Sequence, residues 1–433
     1  MRVSTRAIDI ADADPRALVD LLPAGPDVFS WVRDGDGLVG YGVAARLDAP
    51  GAERFAEASR WWQALAASAE VEDPLALPGT GLVAFGSFAF DDTSSAGGAL
   101  VVPRVIYGRR GDTAWVTTIT GTEPAREPAQ ALAPAGTSRR PPSPGPVTET
   151  DAAGRSAAFL AAVEAAIARL QGGHLEKVVI ARRADVTAAT PLDPRFLLRY
   201  LTQHYPTTWA YSVDGLVGAT PELLLRSERG LVTSRVLAGT VPQEAPPPAP
   251  ASAERRRALP HLARLTESAK DLAEHRHAVE SVTAALRGFC SSMNVPEQPF
   301  VLPLPNVLHL ATDVTGVLAR GLDPAPTSLD LAAALHPSAA VCGTPTATAR
   351  ELLRELEGLD RGRYAGPVGW LGADGDGEWG IALRCAQIDP ADPRAAHLFA
   401  GCGIMSASDP AAELAESEAK LAPLRAALAS ANA

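Results

Sequence analysis

Short hydrophobic runs separated by polar turns dominate the first part of the chain. Two such runs flank a DGDG turn within residues 28–47, and further runs cover 81–90 and 100–121. Apolar runs joined by a tight turn containing glycine are typical of β-hairpins. The segment 52–68 is a candidate helix between them. We therefore expect residues 1–123 to form a strand-rich part of the fold.

The hydrophobic pattern sharpens after residue 151. Phe159, Val163, Ile167 and Leu170 recur at helical spacing, and the Gly172-Gly173 pair predicts the end of this helix. Strands are predicted at 176–186, 307–318 and 397–405, in two short segments around Pro221 within 216–227, and in a hairpin around the ADGDG turn at 373–377. A long helix is predicted after the loop at 241–252 and ends at about residue 289, and a second helix is predicted at 346–359. The last helix is predicted to begin with Asp409 as N-cap and Pro410 in the first turn.

Two segments rich in proline interrupt this order. Residues 124–150 are rich in Pro, Ala, Ser and Thr, which predicts an exposed connector, and residues 241–252 predict a second loop. Hairpins dominate, and strands and helices do not alternate regularly. This pattern favours an α+β fold with antiparallel sheets. The chain also lacks a GxGxxG after a first strand and a GxxxxGK[ST] motif, so nucleotide-binding folds have no support.

Composition narrows the class of protein further. The 433 residues are 46% hydrophobic and 21% charged, which predicts a sizeable folded core. The formal net charge of −11 argues against binding to nucleic acid or to anionic membranes, although a local pocket can still be basic. The four cysteines form no CxxC pair and are expected to be reduced and buried. The sequence has no signal peptide and no apolar run of membrane-spanning length, so we expect a cytoplasmic protein.

Carboxylates on two predicted helices are candidate metal ligands. Glu413, Glu416 and Lys420 lie near one face of the last helix, where they form either a solvated Glu–Lys surface or a pair of hard oxygen ligands for a divalent cation. Glycines at the end of the preceding strand, which would let a ligand approach the backbone, favour the metal. Glu274 is a second candidate, and a plain charged helix face remains its alternative.

Basic side chains in predicted strands are candidates for catalysis and anion binding. Lys177 shares a strand face with Val179 and Ala181, so it is either a general base of lowered pKa or a lysine whose stem packs at the start of a strand. Arg384 is predicted on a strand face between small residues, where it either holds a carboxylate or forms a structural ion pair. His309 and His336 are ambiguous by themselves.

At these residues the sequence resembles the chorismate-utilising enzyme family. The matching stretches follow the family's order across about residues 155–428: EKVVIARR, GATPELLLR, VLAGTVP, KDLAEHRHAV, NVLHLATDVTG, ALHPSAAVCGTP, LDRGRYAGPVGW, IALRCAQI and AGCGIMSASDPAAELAESEAKL. So many ordered matches make the resemblance specific, whereas each motif alone would be weak. The N-terminal GLVAFGSFAFDD and VVPRVIYGRRGD are similar to the isochorismate synthase branch.

The resemblance implies the chorismate-binding fold, in which large antiparallel sheets pack together with helices outside. Residues 1–123 would then belong to the same catalytic unit as the chorismate-binding domain at 151–433. It also implies Mg²⁺ as cofactor, held by Glu274 and Glu416 with help from Glu413. Substrate would be bound by the following residues: Gly239, Thr240, His309, Thr344, Tyr364, Arg384, Gly401, Gly403 and Lys420.

Two features point to a branch of this family. Members that add an amine typically replace the lysine of EKVVIARR, whereas those that add water keep it as general base, as Lys177 does here. The ALHPSAAVCGTP loop is similar to that of isochorismate synthases and has Pro345-Thr346 in place of a Pro-Lys pair. Salicylate synthases, which keep the lysine and also eliminate pyruvate, remain the nearest alternative. An anthranilate synthase-type enzyme and a non-catalytic chorismate-binding protein are the others.

The implied reaction is the isomerisation of chorismate to isochorismate. Lys177 would take a proton from water that adds at C2, and Glu222 would protonate the departing C4 hydroxyl. The product would feed menaquinone or siderophore biosynthesis. Chorismate is then the expected small-molecule partner, and no glutamine amidotransferase subunit, nucleic acid or membrane is expected.

Overall fold

The protein is described here by a computed structural model. The described residues are all except 9–14, 122–139, 174, 243–267, 305–306 and 433, and only the backbone is described for 15–17, 240–242 and 432.

The described residues form 21 strands and seven α-helices. The strands are β1 (Arg2–Ile8), β2 (Val28–Arg33), β3 (Asp36–Ala49), β4 (Glu70–Glu72), β5 (Val83–Phe88), β6 (Gly98–Arg110), β7 (Thr113–Thr120), β8 (Val147–Thr150), β9 (Lys177–Ala188), β10 (Trp209–Val213), β11 (Leu216–Thr220), β12 (Leu223–Glu228), β13 (Leu231–Pro242), β14 (Cys290–Asn294), β15 (Phe300–Leu304), β16 (Val307–Leu318), β17 (Gly343–Thr344), β18 (Pro367–Gly372), β19 (Gly377–Ile381), β20 (Cys385–Ile388) and β21 (Ala395–Ile404). The helices are α1 (Arg54–Ser68), α2 (Ala152–Gln171), α3 (Pro194–His204), α4 (Ala269–Leu286), α5 (Ser328–Leu335), α6 (Thr346–Leu356) and α7 (Pro410–Ala429).

The strands form two arms that meet at β6. The first arm runs β9–β21–β20–β11–β10–β2–β3–β6, and the second runs β6–β5–β18–β19–β12–β13–β16. Every one of these pairings is antiparallel, which confirms the predicted α+β class with large antiparallel sheets. Side chains of both arms share one hydrophobic core, in which Ile180 of β9 and Val236 of β13 are both buried.

The chain crosses from one arm to the other at two short connections that matter below. Pro221 and Glu222 link β11 of the first arm to β12 of the second. Residues 382–384 link β19 of the second arm back to β20 of the first. A side chain at such a crossover lies between the arms, because the backbone there leaves one layer to enter the other.

Most predicted elements are confirmed. The hairpin at 28–47 forms around Asp34 and Gly35, both with positive φ, and α2 ends at Gly172. The Asp409 side chain caps α7 by accepting from the Ala412 amide at 2.8 Å. Helices predicted to reach about 289 and 359 end three residues earlier, at Leu286 and Leu356.

The prediction of one continuous strand face through Arg384 is wrong. The strand ends at Ile381, and Arg384 has a left-handed backbone with φ 49° before β20 begins. The alternation of faces across Gly380–Ala386 therefore does not hold, because the chain changes arms there.

The predicted connector at 124–150 lies largely outside the described residues, which resume at 140. Its last four residues form β8, which pairs antiparallel with β9. The division into a strand-rich part, a connector and a catalytic domain remains a prediction.

The four cysteines are free, and three of them are buried, as expected. Within the described part of the chain, no helix combines the length and hydrophobicity needed to cross a membrane.

Candidate active site

A pocket opens between the ends of the two arms. The empty space within it, including the part that is open to solvent, is about 640 Å³. Both crossovers contribute to it, through Glu222 and Arg384, and β13, β16, β21, α4 and α7 contribute further side chains. The predicted site residues on its wall are Glu222, Gly239, Glu274, His309, Tyr364, Arg384, Gly401, Gly403 and Lys420.

Glu222 is a buried carboxyl group at the first crossover. Its backbone is fixed on both sides: its amide donates to the Thr220 hydroxyl at 3.2 Å and its carbonyl accepts from the Ile381 amide at 3.2 Å. Burial raises the pKa of Glu222 to about 8, against the opposing effects of a backbone hydrogen bond and of the Lys177 charge. At neutral pH this carboxyl group therefore holds its proton and can donate it to a ligand.

Lys177 is fully buried at the start of β9, directly behind the pocket. The Lys177 backbone pairs with Thr344 of β17, and Lys177 Nζ lies 3.2 Å from Glu274 Oε1. This contact is close enough for an ion pair but does not have the geometry of a hydrogen bond. The N–H groups of Lys177 therefore make no hydrogen bond within the described structure. Lys177 packs against Gly403 of the pocket wall, since a Cβ at Gly403 would lie 3.1 Å from Lys177 Cε, and Lys177 itself does not line the pocket.

Gly403 also makes room for the carboxylate of Glu274. A Cβ at this position would lie 2.0 Å from Glu274 Oε1, closer than any side chain could tolerate. A side chain at position 403 would therefore displace the Glu274 carboxylate from its present place in the pocket wall.

Carboxylates of α7 form a compact group beside this wall. Glu413, Glu416 and the Cys402 thiol each offer a ligand atom, and these atoms lie within 4.8 Å of one another. Glu274 is outside that group, but its charge contributes, with theirs, to raising the pKa of the Cys402 thiol, for which burial is the main cause. Burial and the neighbouring Glu416 likewise raise the pKa of Glu413. Such crowded carboxylates fit a hard divalent cation, which would relieve their mutual repulsion.

Two cationic side chains, Arg384 and Lys420, also line the pocket. Arg384 Nη2 lies 3.1 Å from His309 Nε2, which accepts this hydrogen bond if the imidazole is neutral. Burial and the Arg384 charge keep the pKa of His309 well below its usual range, consistent with the neutral form. Lys420 Nζ donates to the Gly401 carbonyl at 2.8 Å and lies 2.6 Å from Glu416 Oε1. These two cations make the pocket suited to an anionic ligand.

Tyr364 stacks on Phe399 at 5.1 Å between ring centroids, with an angle of 9° between the planes. A Cβ at Gly401 would lie 2.9 Å from the Tyr364 hydroxyl, so the glycine again leaves space that a side chain would fill. Burial raises the pKa of Tyr364, so its hydroxyl remains a hydrogen-bond donor.

Some predicted site residues lie elsewhere. Thr344 in β17, Glu413 and Glu416 do not line the pocket. Glu416 adjoins it through its ion pair with Lys420, whereas Glu413 is paired with Lys270. The Thr240 backbone pairs with His309, but its side chain lies outside the described residues. His336 is a structural residue: its Nε2 bonds the Phe90 carbonyl at 2.9 Å, and burial lowers its pKa to about 3.

Sequence reasoning did not select Lys270, Arg361, Phe399 or Cys402. Lys270 stands four residues before Glu274 on α4, and Arg361 stands four residues after its ion-pair partner Glu357. Spacing of i, i+4 could have flagged these two. No local pattern marks Phe399 or Cys402.

Comparison with known proteins identifies a family to which the chain is similar. A family model described as "Chorismate binding enzyme" matches residues 3–429. The chain is 39% identical over 361 residues to the "Putative isochorismate synthase MenF" of Mycobacterium tuberculosis, covering 81% of this chain and 87% of that protein. It is 40% identical over 269 residues to the "Isochorismate synthase DhbC" of Bacillus subtilis, covering 60% of this chain and 64% of that protein.

The fold has a counterpart among solved structures. The structure of a putative 2,3-dihydroxybenzoate-specific isochorismate synthase, DhbC, from Bacillus anthracis superposes with a TM-score of 0.73 at 28% identity. The superposition covers 96% of this chain and all of that one, so the two chains share the same overall fold.

Proposed function

Because the chain belongs to the chorismate-binding enzyme family, we propose that it is an isochorismate synthase, an isomerase that converts chorismate to isochorismate with Mg²⁺. The proposal rests on one observation above the others. Glu222, a carboxyl group whose pKa is raised to about 8, lines a pocket that also carries the cations Arg384 and Lys420.

Glu222 is suited to act as the general acid. Loss of the C4 hydroxyl requires a proton on the departing oxygen, and a carboxyl group that is still protonated at neutral pH supplies it. A carboxyl group of ordinary pKa would be ionised and could not.

Arg384 and Lys420 are suited to bind the substrate's carboxylates. Chorismate is a dicarboxylate, and a buried guanidinium can donate two parallel hydrogen bonds to one carboxylate. The Tyr364 hydroxyl can donate a further hydrogen bond to the carboxylate that Arg384 binds. This local positive charge accommodates a dianion in a protein whose net charge is −11.

The carboxylates beside the pocket are suited to hold Mg²⁺. Glu413 and Glu416 from α7, with Glu274 from α4, would hold the ion, whose role would be to neutralise and anchor the ring carboxylate. The space that Gly403 leaves for Glu274 is consistent with this ligand set.

Lys177 would be the general base. In its neutral form it would take a proton from the water that adds at C2; the ring double bonds shift, and the C4 hydroxyl leaves as water with the proton of Glu222. A proton passing from Lys177 to Glu222 restores both groups. Its burial behind Gly403 limits this role to a water or substrate that reaches past the glycine.

The product profile from chorismate and Mg²⁺ tests the proposal. We expect isochorismate as the released product by chromatography, without pyruvate. Stoichiometric pyruvate would instead indicate a salicylate synthase, whose general base would also be Lys177. Anthranilate formed with added ammonium would indicate the amine-adding class, and binding of chorismate without conversion would contradict an enzymatic role.

A cytoplasmic location, a role in menaquinone or siderophore biosynthesis, and independence from a glutamine amidotransferase subunit remain predictions. A lysate fractionation and a growth test of a deletion strain with and without added menaquinone or iron would check the first two.

A further inference from the structure

Lysine is confined to the candidate active site of this chain. The sequence contains 39 Lys and Arg residues, of which three are lysines: Lys177, Lys270 and Lys420. All other side chains of fixed positive charge are arginines. The three lysines of the chain therefore all lie at the candidate site.

Each lysine lies beside a different carboxylate of the candidate metal site. Lys177 Nζ is 3.2 Å from Glu274, Lys420 Nζ is 2.6 Å from Glu416, and Lys270 Nζ is 2.5 Å from Glu413. The three carboxylates are therefore matched by three ammonium groups. The ammonium of lysine is a compact point charge, as a small cation is, whereas the guanidinium of arginine spreads its charge over a planar fork.

Lys270 differs from the other two in having no part in the proposed reaction. It lies one helical turn before Glu274 on α4, and its partner Glu413 is almost fully buried on α7. Its side chain is 29% exposed, against 0% for Lys177 and 12% for Lys420. Of the three ammonium groups, that of Lys270 therefore has the most open path to solvent.

We propose that the Lys270 ammonium competes with the divalent cation for Glu413 and so sets the metal affinity of the site. A cation at the oxygens of Glu413 and Glu416 would stand within a few ångströms of Lys270 Nζ, and like charges at that separation repel strongly in a partly buried site. Metal binding then expels the ammonium towards solvent. The proposal rests on the Mg²⁺ site of the proposed function.

Metal affinity measured without substrate tests this directly. Titration calorimetry of Mg²⁺ into the full chain and into Lys270→Gln should show tighter binding by the variant, by about 10-fold, equivalent to one ion pair of about 1.4 kcal/mol. The control is Arg276→Gln on the exposed side of the same helix, which removes one positive charge outside the site and should leave the affinity unchanged. Equal or weaker Mg²⁺ binding by Lys270→Gln would overturn the proposal.

A spectroscopic measurement observes the Lys270 ammonium in the wild-type protein itself. With ¹³Cε-labelled lysine, the wild-type protein has only three side-chain signals, and the signal absent from Lys270→Gln identifies Lys270. Mg²⁺ should move that signal towards the position of a solvated lysine. A Lys270 signal that stays in place while Mg²⁺ saturates the site would contradict the proposal.

Parallel assays of isochorismate formation separate this inference from the proposed function. If the wild type forms isochorismate but Lys270→Gln binds Mg²⁺ no more tightly, the role of Lys270 is refuted and the proposed function stands. A gain of affinity in a protein that makes no isochorismate supports the role of Lys270 and refutes the proposed reaction.

Discussion

The ammonium of Lys177 and the carboxylate of Glu274 form an ion pair at 3.2 Å from which solvent is almost wholly excluded. Lys177 begins β9 of the first arm, whereas Glu274 lies on α4, which packs on β13 of the second arm. The pair thus joins the two arms at the point where the proposed base meets a proposed metal ligand.

Replacing Lys177 with alanine should remove activity and also destabilise the fold. Turnover of chorismate should fall at least about 100-fold, because the proposed base is lost. The free energy of unfolding should fall by about 3 kcal/mol, because the Glu274 charge is left buried and unpaired. Product assays and chemical denaturation measure the two effects.

The double variant Lys177→Ala/Glu274→Gln separates them. It should recover most of the stability, since no unpaired charge remains, while turnover stays low. Recovery of turnover in the double variant would show that Lys177 serves only to pair with Glu274.

Glu222→Gln should lose turnover at least about 100-fold, because an amide cannot protonate the departing hydroxyl. The wild-type rate should decline as pH rises through about 8, where the Glu222 carboxyl loses its proton. Whatever rate Glu222→Gln retains should lack this decline. A wild-type pH–rate profile that is flat between pH 7 and 9 would contradict the role of Glu222 as acid.

Glu222 should also make stability depend on pH. Its pKa is raised on folding from an ordinary 4.5 to about 8, so the folded state binds the extra proton. This contribution to the free energy of unfolding is fully present below about pH 4.5 and is lost as pH rises through about 8. Urea denaturation from pH 5 to 9 should show a smaller decline for Glu222→Gln than for the wild type, and identical slopes would argue against the raised pKa.

Gly403→Ala should disable the site by crowding. The new Cβ would lie 2.0 Å from Glu274 Oε1, so the carboxylate must move away from Lys177 and from the metal position. We expect a loss of about 1–3 kcal/mol in stability together with weaker Mg²⁺ binding. Gly288→Ala is the matched control, because a Cβ there meets no atom within 4 Å. Unchanged Mg²⁺ affinity in Gly403→Ala would count against Glu274 as a ligand.

Arg384→Lys should weaken substrate binding although the charge is kept. A single ammonium cannot hold a carboxylate with two parallel bonds and also donate to His309 at 3.1 Å. The KM for chorismate should rise by about 10-fold or more, with a smaller change in kcat. The exposed Arg276→Lys should leave both constants unchanged, and an unaltered KM in Arg384→Lys would place the substrate's carboxylates elsewhere.

Sequence patterns were reliable where the structure is local. The hairpin at 28–47 depends on a turn that Asp34 and Gly35 adopt with positive φ, and the start of α7 depends on a cap that Asp409 makes three residues away. The turn and the cap depend on residues that are near one another in sequence, so a local pattern contains the information. Ordered motifs along the chain also sufficed for the family, and the resemblance they carry named nine of the residues that line the pocket.

Only the tertiary structure decided how the charged groups of the site are paired and where they face. Lys270 meets Glu413 across 143 residues, Arg384 turns into the pocket because the chain changes arms beside it, and Lys177 lies behind Gly403 and not on the open wall. Each of these depends on the register of distant strands and on how the arms pack together. A sequence pattern reports periodicity along the chain. It does not contain the distance between two residues that are far apart in sequence and come together only when the core packs.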